Sequence, residues 1–178
     1  MIASYFTVTG VLTSKECQEI IDYCTDKCRS SDVTAPVSNE SSIVKDVRNS
    51  LNTFISPDEL PIIRKVIDCA VKVSSENFNF PMSTIEPIQY AEYTEGMYYN
   101  AHTDSGETLE HDRDISTSLF LSPRNEYEGG NLCIRYPNNW VEIDEQQGSM
   151  VVFSSMLVHK VKPVEKGKRS SLVMWCKR

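Results

Sequence analysis

The chain is short of histidine, of basic charge relative to acidic, and of long apolar runs, and each shortage removes a class of protein. It holds 3 histidines, and its 18 lysines and arginines face 25 aspartates and glutamates, for a formal net charge of −7. That balance argues against a broad phosphate-binding face, so neither DNA nor RNA is an expected partner. No stretch approaches the roughly eighteen apolar residues that cross a bilayer, so no membrane span is expected. The start, "MIASYFTVTG", lacks the basic region and apolar core of a secretory signal, and a cytoplasmic protein is the expectation. Cys-x-x-Cys is absent too. The 6 cysteines, at 17, 24, 28, 69, 133 and 176, are scattered, and they read as small buried hydrophobes in a reducing compartment.

What is present fits one domain. A chain of 178 residues with 40% hydrophobic and 24% charged residues can bury one sizeable core and is too apolar for disorder. There is no internal repeat, low-complexity tract or linker. A single domain over 1–178 is expected, with helical support over 1–80 and a β core over about 85–178. Charge is uneven: residues 160–178 carry seven of the basic side chains and one acid, Glu165. Such a run reads as a solvated tail unless an anion has reason to sit there.

Two helices are predicted early in the chain. Thr13 with Glu16 has the spacing of a capping box, and Ile20, Ile21, Cys24 and Cys28 recur at helical intervals, giving a helix over 14–29. Ser56, Pro57 and Glu59 mark a second start, followed by a stripe of Leu60, Ile63, Ile67, Ala70 and Val71 to about residue 76. The intervening "SDVTAPVSNESS" reads as loop. From residue 85 the texture changes to about eight short runs rich in β-branched and aromatic residues, separated by Gly, Pro, Asn and Asp. That punctuation predicts a β-sandwich or barrel, with the helices packed on an outer face.

One stretch in the β-rich part, "YYNAHTDSG", sets His102 two positions from Asp104. On a strand the two project to one face and can donate to one ion, although an isolated His-x-Asp is more often a structural pair. A third ligand has two candidates. His111 lies in the charged "GETLEHDRD" and is taken as exposed, whereas His159 follows the apolar "SMVVF". Ten residues later comes Arg169, which shares a strand face with Ser171, Val173 and Trp175. An inward guanidinium is costly without an anion, and its planar fork suits a carboxylate. Two histidines and one carboxylate beside such an arginine form the arrangement of a non-haem iron oxygenase that uses 2-oxoglutarate.

Three blocks, in order and at fitting intervals, carry a family resemblance: "QYAEYTEGMYYNAHTD", "RDISTSLFLSPRNEYEGGNLCI" and "GSMVVFSSMLVHKVKPVEKGKRSSLVMW". Together they span roughly residues 88 to 176. The chain resembles the iron(II)/2-oxoglutarate-dependent dioxygenases, in the branch of prolyl 4-hydroxylases and PKHD-type hydroxylases. The resemblance implies an α+β chain, mainly β, with a double-stranded β-helix (jelly-roll) core. It implies His102, Asp104 and His159 as iron ligands and catalytic centre, and Arg169 as the partner of the distal carboxylate of 2-oxoglutarate. Tyr93 and Ser171 would also contact the co-substrate, and Tyr99 would stand near the substrate cleft. Trp175 is expected in the core, and Lys168 points outward.

The implied activity is hydroxylation of an unactivated C–H bond by Fe(II), 2-oxoglutarate and O2, with ascorbate as reductant and release of succinate and carbon dioxide. Related halogenases have a small residue where Asp104 stands, so hydroxylation is the expected outcome here. The first substrate expectation is a prolyl residue in a peptide or protein. A small molecule such as a free amino acid, or a jelly-roll protein with a non-catalytic metal, remains open. Residues 105–113, polar and adjacent to two ligands, are expected to form a flap over the cleft.

Overall fold

Local sequence signals account for the two helices, and the structure shows where each signal stops acting. The computed structural model describes residues 5–30, 48–79, 84–105 and 113–177, with only the backbone for 28–30. The predicted loop after the first helix, His111, the Cys28 side chain and the body of the expected flap lie outside the described residues. Helix α1 (Ser14–Ser30) begins at the capping box: the Thr13 N–H donates to Glu16 Oε2 at 2.7 Å, and the Glu16 N–H donates to Thr13 Oγ at 3.3 Å. Ser56 and Glu59 make the same reciprocal pair, at 3.4 and 2.8 Å. They close only an isolated turn, however, and helix α2 (Ile63–Phe78) starts later than the Ser56 cap implies. Pro61 explains the delay, because its ring disfavours helical backbone at Leu60. Asn79 ends α2 in the left-handed region at φ 49°, its N–H donating to the Ser74 carbonyl.

The strands are β1 (Tyr5–Val8), β2 (Arg48–Asn49), β3 (Leu51–Ile55), β4 (Thr84–Ile85), β5 (Ile88–Thr94), β6 (Tyr98–His102), β7 (Ile115–Phe120), β8 (Tyr127–Gly129), β9 (Leu132–Arg135), β10 (Trp140–Glu142), β11 (Met150–Ser154), β12 (His159–Val161) and β13 (Val164–Lys177). Among the described residues they form two antiparallel sheets. The larger runs β1-β11-β7-β13-β5-β3, with β4 and β8 also paired to β13; the smaller runs β10-β9-β12-β6-β2. The expected β-rich core is there, but the N-terminal third does more than lend helices. It supplies β1 and β3 at the two ends of the large-sheet path and β2 at one edge of the small sheet. These three strands are short and lack a clear alternating pattern, which is why periodicity missed them.

Period-two alternation sorts side chains into two cores. On β13, Leu172, Met174 and Cys176 face the helices, while Arg169, Ser171, Val173 and Trp175 face the space between the sheets. On β11, Met150 and Val152 join Ile20, Cys24, Ile63 and Val66 under the helices, and Val151 and Phe153 pack between the sheets with Leu132, Ile134 and Leu157. Cys17, Cys24, Cys133 and Cys176 are buried and Cys69 is half-buried. They behave as the small hydrophobes expected. Among the described residues no helix is long and apolar enough to cross a membrane.

One glycine closes the N-terminal approach. The Leu12 N–H donates to the Gly148 carbonyl at 3.1 Å, and Gly148 has φ +76° with space for no Cβ: one built there lies 2.0 Å from the Leu12 carbonyl oxygen. Gly148→Ala is expected to destabilise the protein by about 2–3 kcal/mol through left-handed backbone strain and this clash. Urea unfolding followed by far-UV circular dichroism measures the loss, and a midpoint equal to that of the parent would contradict it.

Candidate metal centre

Pairing of β12 with β6 sets His159 directly opposite His102. The strand stops at His102, so Asp104 is not placed by strand alternation as the sequence reading has it. Instead the backbone N–H groups of Asp104 and Ser105 both donate to the Ser155 carbonyl, at 3.0 and 3.1 Å, folding the chain back toward His159. The result brings all three residues together, with one donor atom from each lying within 4.8 Å of the others. His102 Nε2 is 3.6 Å from Asp104 Oδ1, and His159 Nε2 is 3.4 Å from Asp104 Oδ2. Ligands about 2.0–2.2 Å from one ion and at right angles stand about 3 Å apart, and the two His–Asp spacings, each to a different carboxylate oxygen, are close to that.

The donor set is prepared for that task. Each histidine has Nδ1 against a carbonyl two residues back: Asn100 O at 2.7 Å for His102 and Leu157 O at 3.0 Å for His159. A carbonyl can only accept, so each Nδ1 carries a proton, and Nε2 is the nitrogen left to present a lone pair once the proton it shares with Asp104 is displaced. Ser116 on β7 donates to Asp104 Oδ2 at 2.7 Å and lies 2.8 Å from Ser155 Oγ, fixing the carboxylate from behind.

Burial by itself would raise the Asp104 carboxyl, but hydrogen bonds from His102 and His159 and the attraction of both rings hold it well below the usual carboxylate range. Burial would likewise lower His159. The hydrogen bond and charge of Asp104, helped by the Leu157 carbonyl, raise it instead.

Aromatic rings wall the triad. Tyr99 stacks on His102 with centroids 3.6 Å apart, and Phe153 meets His159 edge-on at 4.9 Å. Burial pushes the Tyr99 hydroxyl up to about 12, so it stays protonated. Arg48 lies over the outer face of Tyr99, 4.7 Å from its centroid, and is held by Ser50, Asn52 and Gln89.

The triad opens into a cleft whose other lining residues include Tyr93, Arg169, Ser171 and Trp175. Arg169 is opposite Tyr93 in the β13–β5 ladder, its Cζ 5.5 Å from the Tyr93 ring centre, and its Nη1 donates to Ser171 Oγ at 3.2 Å. All the residues anticipated from sequence therefore converge on one cleft. Lys168 points outward as expected, paired with Glu92 at 3.2 Å.

Trp175 is buried as expected and also forms part of the cleft wall, with Arg113 stacked 3.9 Å from its ring centre and fixed by Glu86 at 2.6 Å. Four lysines of the basic C-terminal run have protein partners. Lys162, Lys166 and Lys168 pair with Glu142, Glu128 and Glu92, and Lys160 covers Trp140. One expectation needs correction: Arg169 does not wait for a ligand to supply its anion, because Glu145 is already there. Its carboxylate accepts from Nε at 2.9 Å and Nη2 at 3.2 Å.

Glu145 was legible in principle. Continuing the alternation past β10 puts Ile143 and Glu145 inward and Glu142 and Asp144 outward, which is the burial observed. Arg48 and Ser116 carried no comparable signal.

The family model described as "2OG-Fe(II) oxygenase superfamily" matches residues 88–177, and the chain belongs to that superfamily. Among curated relatives, a PKHD-type hydroxylase of Parvibaculum lavamentivorans is 36% identical over 88 residues, covering 49% of this chain and 40% of that protein. The chain thus matches less than half the length of the first curated relatives. Its fold is that of a Pseudomonas putida prolyl-4-hydroxylase (TM-score 0.78, 17% identity, 99% of this chain and 94% of that one). It is shared by a Trichoplax adhaerens prolyl hydroxylase solved with a hypoxia inducible factor oxygen degradation domain peptide (TM-score 0.78, 20% identity, 97% and 82%).

Two measurements check the metal site. Ser116→Ala is expected to weaken Mn(II) binding by about 10-fold or more, since it frees the carboxylate to rotate; calorimetric titration reads the change, and an unaltered affinity would count against it. Metal binding needs neutral imidazoles, and His159 holds its proton to a higher pH than an ordinary histidine of about 6.5. Apparent Mn(II) affinity should therefore fall as pH drops, beginning above that value. Affinity that is flat across this range would show that no histidine proton is displaced.

Proposed function

We propose that this chain hydroxylates an unactivated C–H bond, using Fe(II), 2-oxoglutarate and O2, and that its substrate is a prolyl residue in a peptide or protein. The observation that carries the reading is the joining, in one cleft, of a facial His102–Asp104–His159 set to a buried arginine–serine pair. Structural zinc would call for four protein ligands, commonly with thiolates. The described cluster has three ligands and no cysteine, which favours a metal with open positions.

In this reading, His102, Asp104 and His159 would hold the iron on one face and leave the opposite positions to co-substrate and dioxygen. The bound iron and 2-oxoglutarate supply the oxidising chemistry, consuming the co-substrate to succinate and carbon dioxide, with ascorbate as reductant. The protein's own residues set geometry and polarity. Arg169 and Ser171 bind the distal carboxylate by charge-assisted hydrogen bonds, and Tyr93 closes that end of the cleft as a further hydrogen-bonding group. Ser116 and the Asn100 and Leu157 carbonyls keep the three ligands in their productive orientations. Tyr99 and Phe153 pack on the imidazoles and keep bulk water off the metal-facing wall. A prolyl peptide as substrate is supported by the branch to which the matched relatives and fold neighbours belong, one of them holding a peptide. The same chemistry on a free amino acid is the competing outcome of the test.

Purified protein supplied with Fe(II), ascorbate and 2-oxoglutarate is expected to form succinate in step with a one-oxygen mass gain on a proline-containing peptide. His102→Ala should reduce turnover to background. Arg169→Ala should raise the KM for 2-oxoglutarate by about 10-fold or more, with a smaller change in kcat, because it removes ground-state anchoring. A KM unchanged in that variant would assign the distal carboxylate to some other residue.

A further inference from the structure

Arg169 is fully buried, and the reason it can be is an acid from a different part of the chain. Glu145 is 2% exposed, lies just past β10, and accepts four hydrogen bonds. Its donors are Tyr127 Oη at 2.6 Å, the Leu132 backbone N–H at 2.5 Å, Arg169 Nε at 2.9 Å and Arg169 Nη2 at 3.2 Å. The guanidinium is thus gripped along its Nε–Nη2 edge. Burial works against its charge, and the attraction of Glu145 more than restores it.

The remaining edge is the useful one. Nη1 donates to Ser171 Oγ, and Ser171 and Arg169 both line the cleft, whereas Glu145 does not. The carboxylate therefore sits behind the guanidinium as seen from the cleft, outside the volume a ligand would fill. Gly130 gives the arginine room: a Cβ there would lie 3.2 Å from Arg169 Cδ and 2.9 Å from Val164 Cγ2. Through the Leu132 N–H, the same carboxylate also ties the strand after the Gly-Gly turn to the arginine.

A lone arginine on a strand has several staggered rotamers, and a cation facing a cleft would sample them. Gripping one edge leaves a single orientation and fixes which N–H groups meet an incoming carboxylate. We propose that Glu145 is a positioning residue that pre-orients Arg169 for the distal carboxylate of a 2-oxo dicarboxylic acid, without touching that ligand. This inference rests on the co-substrate reading above. It adds that selectivity for a dicarboxylate over a monocarboxylate depends on an acidic side chain.

The test compares two ligands with the same chelating head, 2-oxoglutarate and 2-oxobutyrate, of which only the first has a distal carboxylate. Each is titrated calorimetrically into the Mn(II)-loaded protein without turnover, for parent and Glu145→Gln. The amide keeps the size of the side chain but loses its charge and one acceptor. Expected is a loss of about 10-fold or more in 2-oxoglutarate affinity, with 2-oxobutyrate changed less than about 3-fold, in line with the usual cost of removing an orienting partner. Equal losses for both ligands would overturn the proposal, since that is what general damage to the fold produces. An unchanged or tighter 2-oxoglutarate affinity would overturn it as well, the tighter case marking Glu145 as a rival anion.

If Glu145→Gln does not fold, Tyr127→Phe serves instead, because it removes one donor that holds the carboxylate and leaves the ion pair. A smaller loss confined to 2-oxoglutarate, about 3-fold, is then expected, and none would overturn the proposal. A parent protein that binds the two ligands equally would sink the co-substrate reading and this inference with it. A parent that discriminates, beside a variant that discriminates equally well, would sink the inference alone.

Discussion

The ladder between β12 and β6 holds His159 opposite His102, and the candidate centre exists only while those two short strands stay paired. Neither strand is strong by itself. β12 has three residues and is flanked on its other side by β9, where His159 stands opposite Ile134. Its stability comes from what lies beneath. Val161, Leu157 and Phe153 are packed between the sheets with Leu132 and Ile134, so opening the site would expose that core to water. The metal-facing geometry is in this sense a by-product of a hydrophobic sandwich, and rigid for that reason.

A second constraint is electrical. The space between the sheets holds two buried ionic groupings, His102–Asp104–His159 and Arg169–Glu145. Charges withdrawn from water cost several kcal/mol each unless paired and hydrogen-bonded, and both groupings meet that condition. Asp104 is served by two imidazoles and Ser116; Glu145 is served by Tyr127, the Leu132 amide and Arg169. Such pairs add less to stability than well-packed apolar residues of equal volume. The triad from one grouping and Arg169 from the other line one cleft, which fits a site organised around an ion and an anionic ligand.

The architecture also separates support from function. One face of the large sheet is given mainly to apolar packing under α1 and α2, and its opposite face turns polar near the cleft, with Gln89, Ser116, Ser118 and Ser171. The N-terminal third joins both roles. Its helices cover the outer face, while Arg48 reaches the cleft from β2, over Tyr99. That contribution was invisible beforehand, because a two-residue strand has no period to detect and an arginine in a polar stretch looks like any solvated charge.

What the sequence determined by itself was local chemistry. The capping box at Thr13 and Glu16, the alternation that points Arg169 and Ser171 inward, and the ordered His-x-Asp, Gly-Gly and distal-histidine blocks all depend on near neighbours in the chain. The three-dimensional fold decided which distant groups meet. It turned Asp104 back through a Ser155 carbonyl after the strand had ended, set Pro61 against an otherwise sound helix start, and put Trp175 on the cleft wall. It also gave Arg169 a resident anion in Glu145. These depend on contacts between residues far apart in sequence, whose energies arise only once the sheets have closed, and no spacing rule along a single chain can encode them.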